Sequence, residues 1–255
     1  MFPRKKFDFH WQGIVPPFRI IGGVYYVGIY AASTHLIDTG DGLILIDPGY
    51  ADSLHLVIHS IHKLGFDPAD IRYIVNTHWH GDHTEGTAQL AYMCGAETLI
   101  GADDAQKAQK YFSPDILVRD GDTLALGNTV MHFMETPGHT KGTLSFFLDA
   151  EENGNTYRVG MFGGAGANTL AAGKFDYPDA REGYRASLHR LMNEKVDVML
   201  GNHVWNNDTE VKGLHLLKTG ENLFIDATLW NRFLTHCEKR LDALIEREKM
   251  GNLDK

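Results

Sequence analysis

The chain has 255 residues, 43% hydrophobic and 22% charged, a composition that supports a sizeable packed core. Its formal charge of −9, with no long basic run, argues against nucleic acid and anionic membranes as partners and leaves a small-molecule substrate as the expectation. Two cysteines, Cys94 and Cys237, make no disulfide framework, no apolar run suits a spanning helix, and the opening MFPRKKFDFHWQG lacks an apolar signal core, so a cytoplasmic protein with buried free thiols is expected.

Taken in chain order, the apolar segments GVYYVGIY, GLILIDPGY and IRYIVNTH read as strands. Between the second and third, Leu54, Val57, Ile58, Ile61 and Leu64 share one helical face over Asp52 to Gly65. Asp52 or Ser53 can cap that helix and Gly65 can end it. GTAQLAYMCG reads as a further helix. NTVMHFMET, TLSFFLD and VDVMLGNH read as strands in the second half. Leu223, Ala227, Trp230, Leu234, Cys237, Leu241 and Leu244 keep helical spacing near the end. No linker or low-complexity stretch interrupts the chain, so residues 1–255 read as one domain.

LHLVIHSIHKLGFDPADIRYIVNTH and YRASLHRLMNEKVDVMLGNH each run from amphipathic helix to apolar strand and end on a histidine, His78 and His203. Ligands gather at the carboxyl ends of strands in α/β sheets, so the two ends suggest one shared site.

The densest chemistry is VNTHWHGDHTEG, with His78, His80, Asp82 and His83 within six residues. Residues two apart at a strand end face the same side, so His78 and His80 can bind one ion. Gly81 lets the chain turn, after which Asp82 and His83 can face a second ion. His139 in METPGHTKGTLSF and His203 in LGNHVWNND each read alone as a hydrogen-bonded turn histidine. With the cluster they complete two sets of three: His78, His80 and His139, and Asp82, His83 and His203. Three protein ligands with an open position is the catalytic zinc arrangement. Zn2+, two per chain, suits such imidazole and carboxylate donors best, although iron or manganese could occupy them. The other histidines (10, 35, 55, 59, 62, 132, 189, 215 and 236) read as structural.

These residues resemble the metallo-β-lactamase superfamily, whose signature is His-X-His-X-Asp-His. The similarity extends from PPFRIIGGVYYVG to HVWNN, roughly four-fifths of the chain. It takes in ILIDPGY, VRDGDTLALGNTVMHFMETPGHTKGTLSF and FDYPDAREGYRASL. The β-lactamase subclass with an Asp/His/His second zinc site is the most similar. The resemblance implies a four-layer αβ/βα sandwich, metals at one sheet edge, and Asp47 just behind them. A plain strand-end turn with Pro48 and Gly49 is the other reading of Asp47.

The resemblance has departures. Most dizinc hydrolases of the superfamily place a bridging Asp on the strand after the third histidine, where this chain reads Phe162-Gly163-Gly164. His203 must then complete the second site. Diiron members place a Glu where this chain has His80, which disfavours oxygen chemistry. The loop GGAGANTLAAG lacks the serine that holds the drug carboxylate in the similar β-lactamases; Thr169 is its only hydroxyl and Asn168 its only amide. The implied activity is hydrolysis of a small amide, lactam or ester, with weak β-lactam cleavage. A lactonase or thioesterase, or a non-catalytic metal sensor, is the alternative. Asp82 is expected to orient the nucleophile as well as to bind metal. Phe9, His10, Trp11 and Val15 are expected either to cover the site or to pack as an N-terminal strand. Trp79, Tyr177 and Trp205 either wall the pocket or fill the core. The oligomeric state is not legible.

Overall fold

The computed structural model describes residues 4–251. The first half builds one seven-stranded sheet, whose strand order follows the chain. Strands β1 (Phe18–Ile21), β2 (Val24–Tyr26), β3 (His35–Asp38) and β4 (Leu43–Ile46) form an antiparallel meander. Helix α1 (Leu54–Lys63) then returns the chain so that β5 (Ile71–Asn76) pairs parallel with β4. A one-turn helix α2 (Gly81–Thr84) and α3 (Thr87–Cys94) lead to β6 (Glu97–Gly101). The short α4 (Ala105–Ala108) then leads to β7 (Ile116–Val118), both strands continuing the parallel run.

The second half builds a five-stranded sheet. Strands β8 (Thr123–Leu126), β9 (Thr129–Glu135), β10 (Leu144–Glu152) and β11 (Asn155–Met161) are antiparallel neighbours. Helix α5 (Ala180–Leu191) carries the chain to β12 (Val198–Leu200), which pairs parallel with β11. Helices α6 (Thr209–Thr219) and α7 (Leu229–Lys249) follow.

Strand periodicity explains how these parts stack. Successive side chains point to opposite faces, so a strand buried on both faces reads as a continuous apolar run. On β4, Ile44 and Ile46 face the second sheet, while Leu43 and Leu45 face α1 with Val57 and Ile61. On the other sheet, Phe146 joins the core between the sheets, and Phe147 packs with Tyr184 and Trp230 beneath α5 and α7. Three apolar layers thus separate helix, sheet, sheet and helix, the expected four-layer αβ/βα sandwich. No helix among the described residues is long and apolar enough to cross a membrane. Both cysteines are free, Cys237 buried and Cys94 half-buried.

Local departures from the sequence reading have simple causes. Residues 51–53 form a 3-10 turn, so the first long helix starts at Leu54 instead of Asp52. Leu223 and Ala227 precede α7, because the Asp226 carboxylate binds the Thr228 N–H and hydroxyl and holds a turn there. Strand β5 stops at Asn76, so His78 and His80 lie beyond it, and Gly81 opens a helical turn with His80 as its N-cap. Ladder pairing gives way at that point because the Thr77 N–H binds the Asp47 side chain.

The echo between the halves is real, with α1–β5 in one sheet and α5–β12 in the other. Both strands end at the same edge of the sandwich, where Ala32 and His203 form an isolated antiparallel bridge. His139 sits in the turn between β9 and β10, where Gly138 has φ +149° and lies against the backbone of Tyr184 on α5. A Cβ at 138 would stand 2.6 Å from Tyr184 Cα, whereas one at Gly154, also at positive φ, would meet nothing within 4 Å. Gly138→Ala is therefore expected to lower stability by about 2–3 kcal/mol and Gly154→Ala by about 1 kcal/mol. Urea unfolding of the two variants checks this, and equal losses would refute the packing account.

Candidate metal centre

The site grows from the end of β4. Asp47 is fully buried and adopts φ +51°, in the left-handed region, so the strand-end turn is real. Its carboxylate nevertheless does the work expected of a group behind the site. Oδ1 accepts from the Thr77 N–H at 2.7 Å, and Oδ2 accepts from the Thr77 hydroxyl and from His83 Nδ1, each at 2.7 Å. A carboxylate can only accept, so His83 carries a proton on Nδ1 and, in its neutral form, turns a bare Nε2 inward.

The same logic fixes two more rings. His78 Nδ1 lies 3.1 Å from the Thr77 hydroxyl, whose proton is already given to Asp47, so the ring donates there and its Nε2 is bare. His139 Nδ1 donates to the Gly166 carbonyl at 2.7 Å, which frees its Nε2. That Nε2 stands 2.9 Å from His80 Nδ1.

All six sequence-predicted residues come together, in the two sets expected. Within His78, His80 and His139, and within Asp82, His83 and His203, the candidate donor atoms lie within 4.8 Å of one another. Asp82 Oδ2 is 3.6 Å from His83 Nε2 and 3.7 Å from His203 Nε2. The sets are adjacent, with the His78 and His83 rings 4.2 Å apart between centroids. The Nε2 atoms of His78 and His83 are buried with no hydrogen-bond partner. An unpaired buried polar atom costs about 1–3 kcal/mol, and here two point into one cluster of soft nitrogen donors. Divalent metal ions fit this donor set and would satisfy both atoms.

The electrostatics agree. Burial, reinforced by repulsion among the rings, pushes His78 well below its ordinary value and His139 and His203 to about 3. Burial takes His80 to about 4. Burial also lowers His83, but the Asp82 and Asp47 carboxylates outweigh it and leave the group raised. Asp82 is raised by burial, yet His83 and His203 hold it below its ordinary value. His78, His80, His139 and His203 are thus neutral and Asp82 ionised at neutral pH, the protonation states that metal binding requires, while His83 would give up its extra proton on binding.

The position where a bridging carboxylate was sought cannot carry one. A Cβ at Gly163 would collide with the Leu144 carbonyl oxygen and stand 2.8 Å from Thr77 Cβ. At Gly164 it would press on Thr143 Cγ2 at 2.7 Å and His139 Cβ at 3.0 Å.

Two carboxylates that hold the site escaped the sequence reading. Buried Asp104 accepts from the Gly142 N–H at 2.7 Å, the Thr140 hydroxyl at 2.6 Å and the Trp79 N–H at 3.2 Å. It thereby ties the loop of His78 and His80 to the loop of His139. Burial raises its pKa to about 6, although these hydrogen bonds oppose the rise. Asp176 accepts from Trp79 Nε1 at 3.2 Å and the Lys141 N–H at 3.0 Å, and pairs with Lys107. The signal was faint: an acidic pair in GADDAQ and FDYPD, with no spacing that marks a partner.

The aromatic candidates divide. Trp79 packs with Ile100, Ala108 and Phe112 and lies edge-on to the His80 ring. Tyr177 packs into the cluster beneath α5 and α7 and fills space beside Gly183. Trp205 stacks on His203. His10 stacks on Tyr50 at 3.5 Å and binds Asp52 at 3.1 Å, contacts in keeping with its structural reading. Residues 10–12 form a 3-10 turn instead of a strand, with Phe9 and Trp11 exposed and Val15 in the core.

A sandwich that brings two three-donor sets to one edge defines a metallo-hydrolase. The chain belongs to the metallo-beta-lactamase superfamily, whose family model matches residues 27–203. Among solved structures it resembles BJP-1, a subclass B3 metallo-beta-lactamase of Bradyrhizobium japonicum, at 28% identity and TM-score 0.87 over 95% of this chain and 98% of that one. Native FEZ-1 metallo-beta-lactamase from Legionella gormanii is similar at 27% identity and TM-score 0.86, over 92% and 97%. A hydroxyacylglutathione hydrolase of Anaeromyxobacter dehalogenans is 35% identical over 111 residues, 44% of this chain and 40% of that protein. The mitochondrial persulfide dioxygenase ETHE1 of Mus musculus is 26% identical over 202 residues, 79% of this chain and 70% of that one. The chain thus spans about two-fifths of the length of the hydroxyacylglutathione hydrolase it matches.

The shifted imidazoles make a pH prediction for metal-free protein. A histidine depressed in the fold takes up its proton more readily in the unfolded chain, at an ordinary value of 6.5. His78, His80, His139 and His203 therefore remove stability as pH falls from about 6.5 toward 4. Raised His83 acts oppositely: its contribution is present at low pH and is lost as pH rises through its folded value. Asp104, raised to about 6, likewise gains stability as pH falls, but four groups outweigh two, so metal-free protein should melt at a lower temperature near pH 5 than near pH 7.5. An equal or higher melting temperature near pH 5 would overturn the assignment.

Proposed function

We propose that the two donor sets hold two zinc ions and that the enzyme hydrolyses the carbonyl group of a small amide, lactam or ester. The observation that carries this reading is the pair of adjacent three-donor sets with bare, buried imidazole nitrogens. Zinc bound there supplies a Lewis acid for the carbonyl and brings the pKa of water from about 15.7 to near 7. His78, His80 and His139 would hold one ion, and Asp82, His83 and His203 the other.

The chain's own residues do the rest. Asp82 is the one ionised group that faces both His83 and His203. With metal present it would both hold the ion and accept a hydrogen bond from the attacking water, orienting that nucleophile. Asp47 fixes the tautomer of neutral His83 and, through Thr77, of His78, so that Nδ1 carries the proton and Nε2 is the donor nitrogen. Gly166 does the same for His139. No serine or cysteine nucleophile is required, which fits the buried position of Cys237.

The substrate carboxylate finds no hydroxyl anchor in the loop after β11. The Thr169 hydroxyl is spent on the His139 carbonyl at 2.8 Å, and Asn168 is exposed. β-Lactams are accordingly poor substrates, with the loss in KM more than in kcat. The likeness to hydroxyacylglutathione hydrolases supports a thioester as the second reading, since the same ligands would serve it.

Zinc-dialysed protein should hold about two zinc ions per chain by elemental analysis. A panel of β-lactams, lactones, thioesters and phosphodiesters should show turnover that is lost on chelation and restored by zinc. Protein free of metal after such dialysis would overturn the reading. His203→Ala should fold normally by circular dichroism, retain about one metal per chain and lose most of its turnover. His215 of α6, bonded to Glu221 just beyond that helix at 2.8 Å, is the control, and His215→Ala should keep both ions. Two retained ions and near-normal rates in His203→Ala would show that another group completes the second set.

A further inference from the structure

The ligand rings are not all held in the same way. His83, His78 and His139 each have a ring nitrogen hydrogen-bonded to Asp47, Thr77 or Gly166. His203 has no such bond. Its Nδ1 is buried and makes no hydrogen bond of ordinary geometry; the Ala31 carbonyl lies beside the ring and favours its protonated form, but its directed hydrogen bond comes from the Val204 N–H at 3.2 Å. The backbone of His203 is fixed by its bridge to Ala32 and by the Asn206 N–H on its carbonyl at 2.9 Å, but neither contact sets the ring.

The Trp205 indole does reach the ring. It lies parallel to the imidazole, 4.4 Å between centroids and 11° between planes. The Arg4 guanidinium sits over that indole at 4.3 Å from its centroid. Tyr30 flanks it at 6.3 Å, and Lys5 lies over Tyr30 at 5.2 Å while pairing with Glu210 of α6 at 2.5 Å. Two successive cations of the N-terminal segment are thus seated on the aromatic pair beside the second donor set.

We propose that Trp205 is the positioning residue of His203, setting its ring plane by stacking where His78, His83 and His139 use hydrogen bonds, and that Arg4 and Lys5 brace that stack. The proposal rests on the two-zinc reading of the site. Groups that orient a metal-bound imidazole are worth about 10–100-fold in metal affinity. A planar stack fixes the ring's tilt but leaves its tautomer free, so the consequence falls on the second donor set alone. An arginine over an indole adds about 0.5–1 kcal/mol at an exposed site, a few-fold in affinity.

Two measurements test this. The first is zinc competition with a chromophoric chelator, resolving the two equivalents, on wild type, Trp205→Ala, Trp205→Phe and the Arg4→Ala/Lys5→Ala double variant. Trp205→Ala should weaken the second equivalent about tenfold or more and leave the first unchanged. Trp205→Phe should restore it to within about threefold, and the double variant should lose about threefold. Unchanged affinities in Trp205→Ala, or equal weakening of both equivalents, would refute the role. The second measurement needs no metal: the His203 ring protons of metal-free protein should show an upfield ring-current shift that vanishes in Trp205→Ala. Wild type that never takes a second equivalent would overturn the two-zinc reading, and the ring shift would then decide the stack by itself. Absence of that shift in wild type overturns the stack whatever the metal count.

Discussion

The carboxylate of Asp47 is the constraint on which the site depends. It is fully buried, and an isolated buried carboxylate is strongly disfavoured. Three hydrogen bonds compensate it, two from Thr77 and one from His83. Those bonds end the β5 ladder, aim His83 at one donor set and, through the Thr77 hydroxyl, fix the tautomer of His78 in the other. One side chain at the end of β4 thereby couples the sheet, the turn and both halves of the centre. The left-handed backbone of Asp47 is the cost of placing the carboxylate there, and the Thr34 hydroxyl on its carbonyl helps hold that conformation.

Asp104 and Asp176 extend the same principle outward. Asp104 spans the two loops that carry His78, His80 and His139, and Asp176 ties Trp79 to the segment after β11. The first donor set is thus held through polar contacts that converge on buried carboxylates. The His203 side of the second set leans on aromatic rings and on the basic N-terminal segment.

Much of this was legible in the sequence. Continuous apolar runs such as LILI mark strands covered on both faces, and the helical spacing of Leu54, Val57 and Ile61 marks α1. The six donors were visible because metal chemistry restricts residue type and because each follows an apolar strand or a turn. Less legible was whatever depends on contacts between distant segments. Asp104 looks like any surface acid until Thr140 and Gly142 are brought to it. The stacking role of Trp205 needs the ring plane of His203, which no spacing encodes. The start of the last long helix was misplaced because a local Asp226–Thr228 turn competes with a pattern that remains apolar through it.

The tight glycines after β11 have one further consequence. With Gly163 packed on the Leu144 carbonyl and Gly164 on His139, neither position can carry a side chain toward the site, and the two triads share no donor. The triads are joined through the segment from His78 to His83, whose two end rings lie 4.2 Å apart, and through the hydrogen bonds of Asp47. On the two-zinc reading, no protein donor would have to be divided between the two ions, so the loss of a single side chain would strip one position of a ligand without taking one from the other.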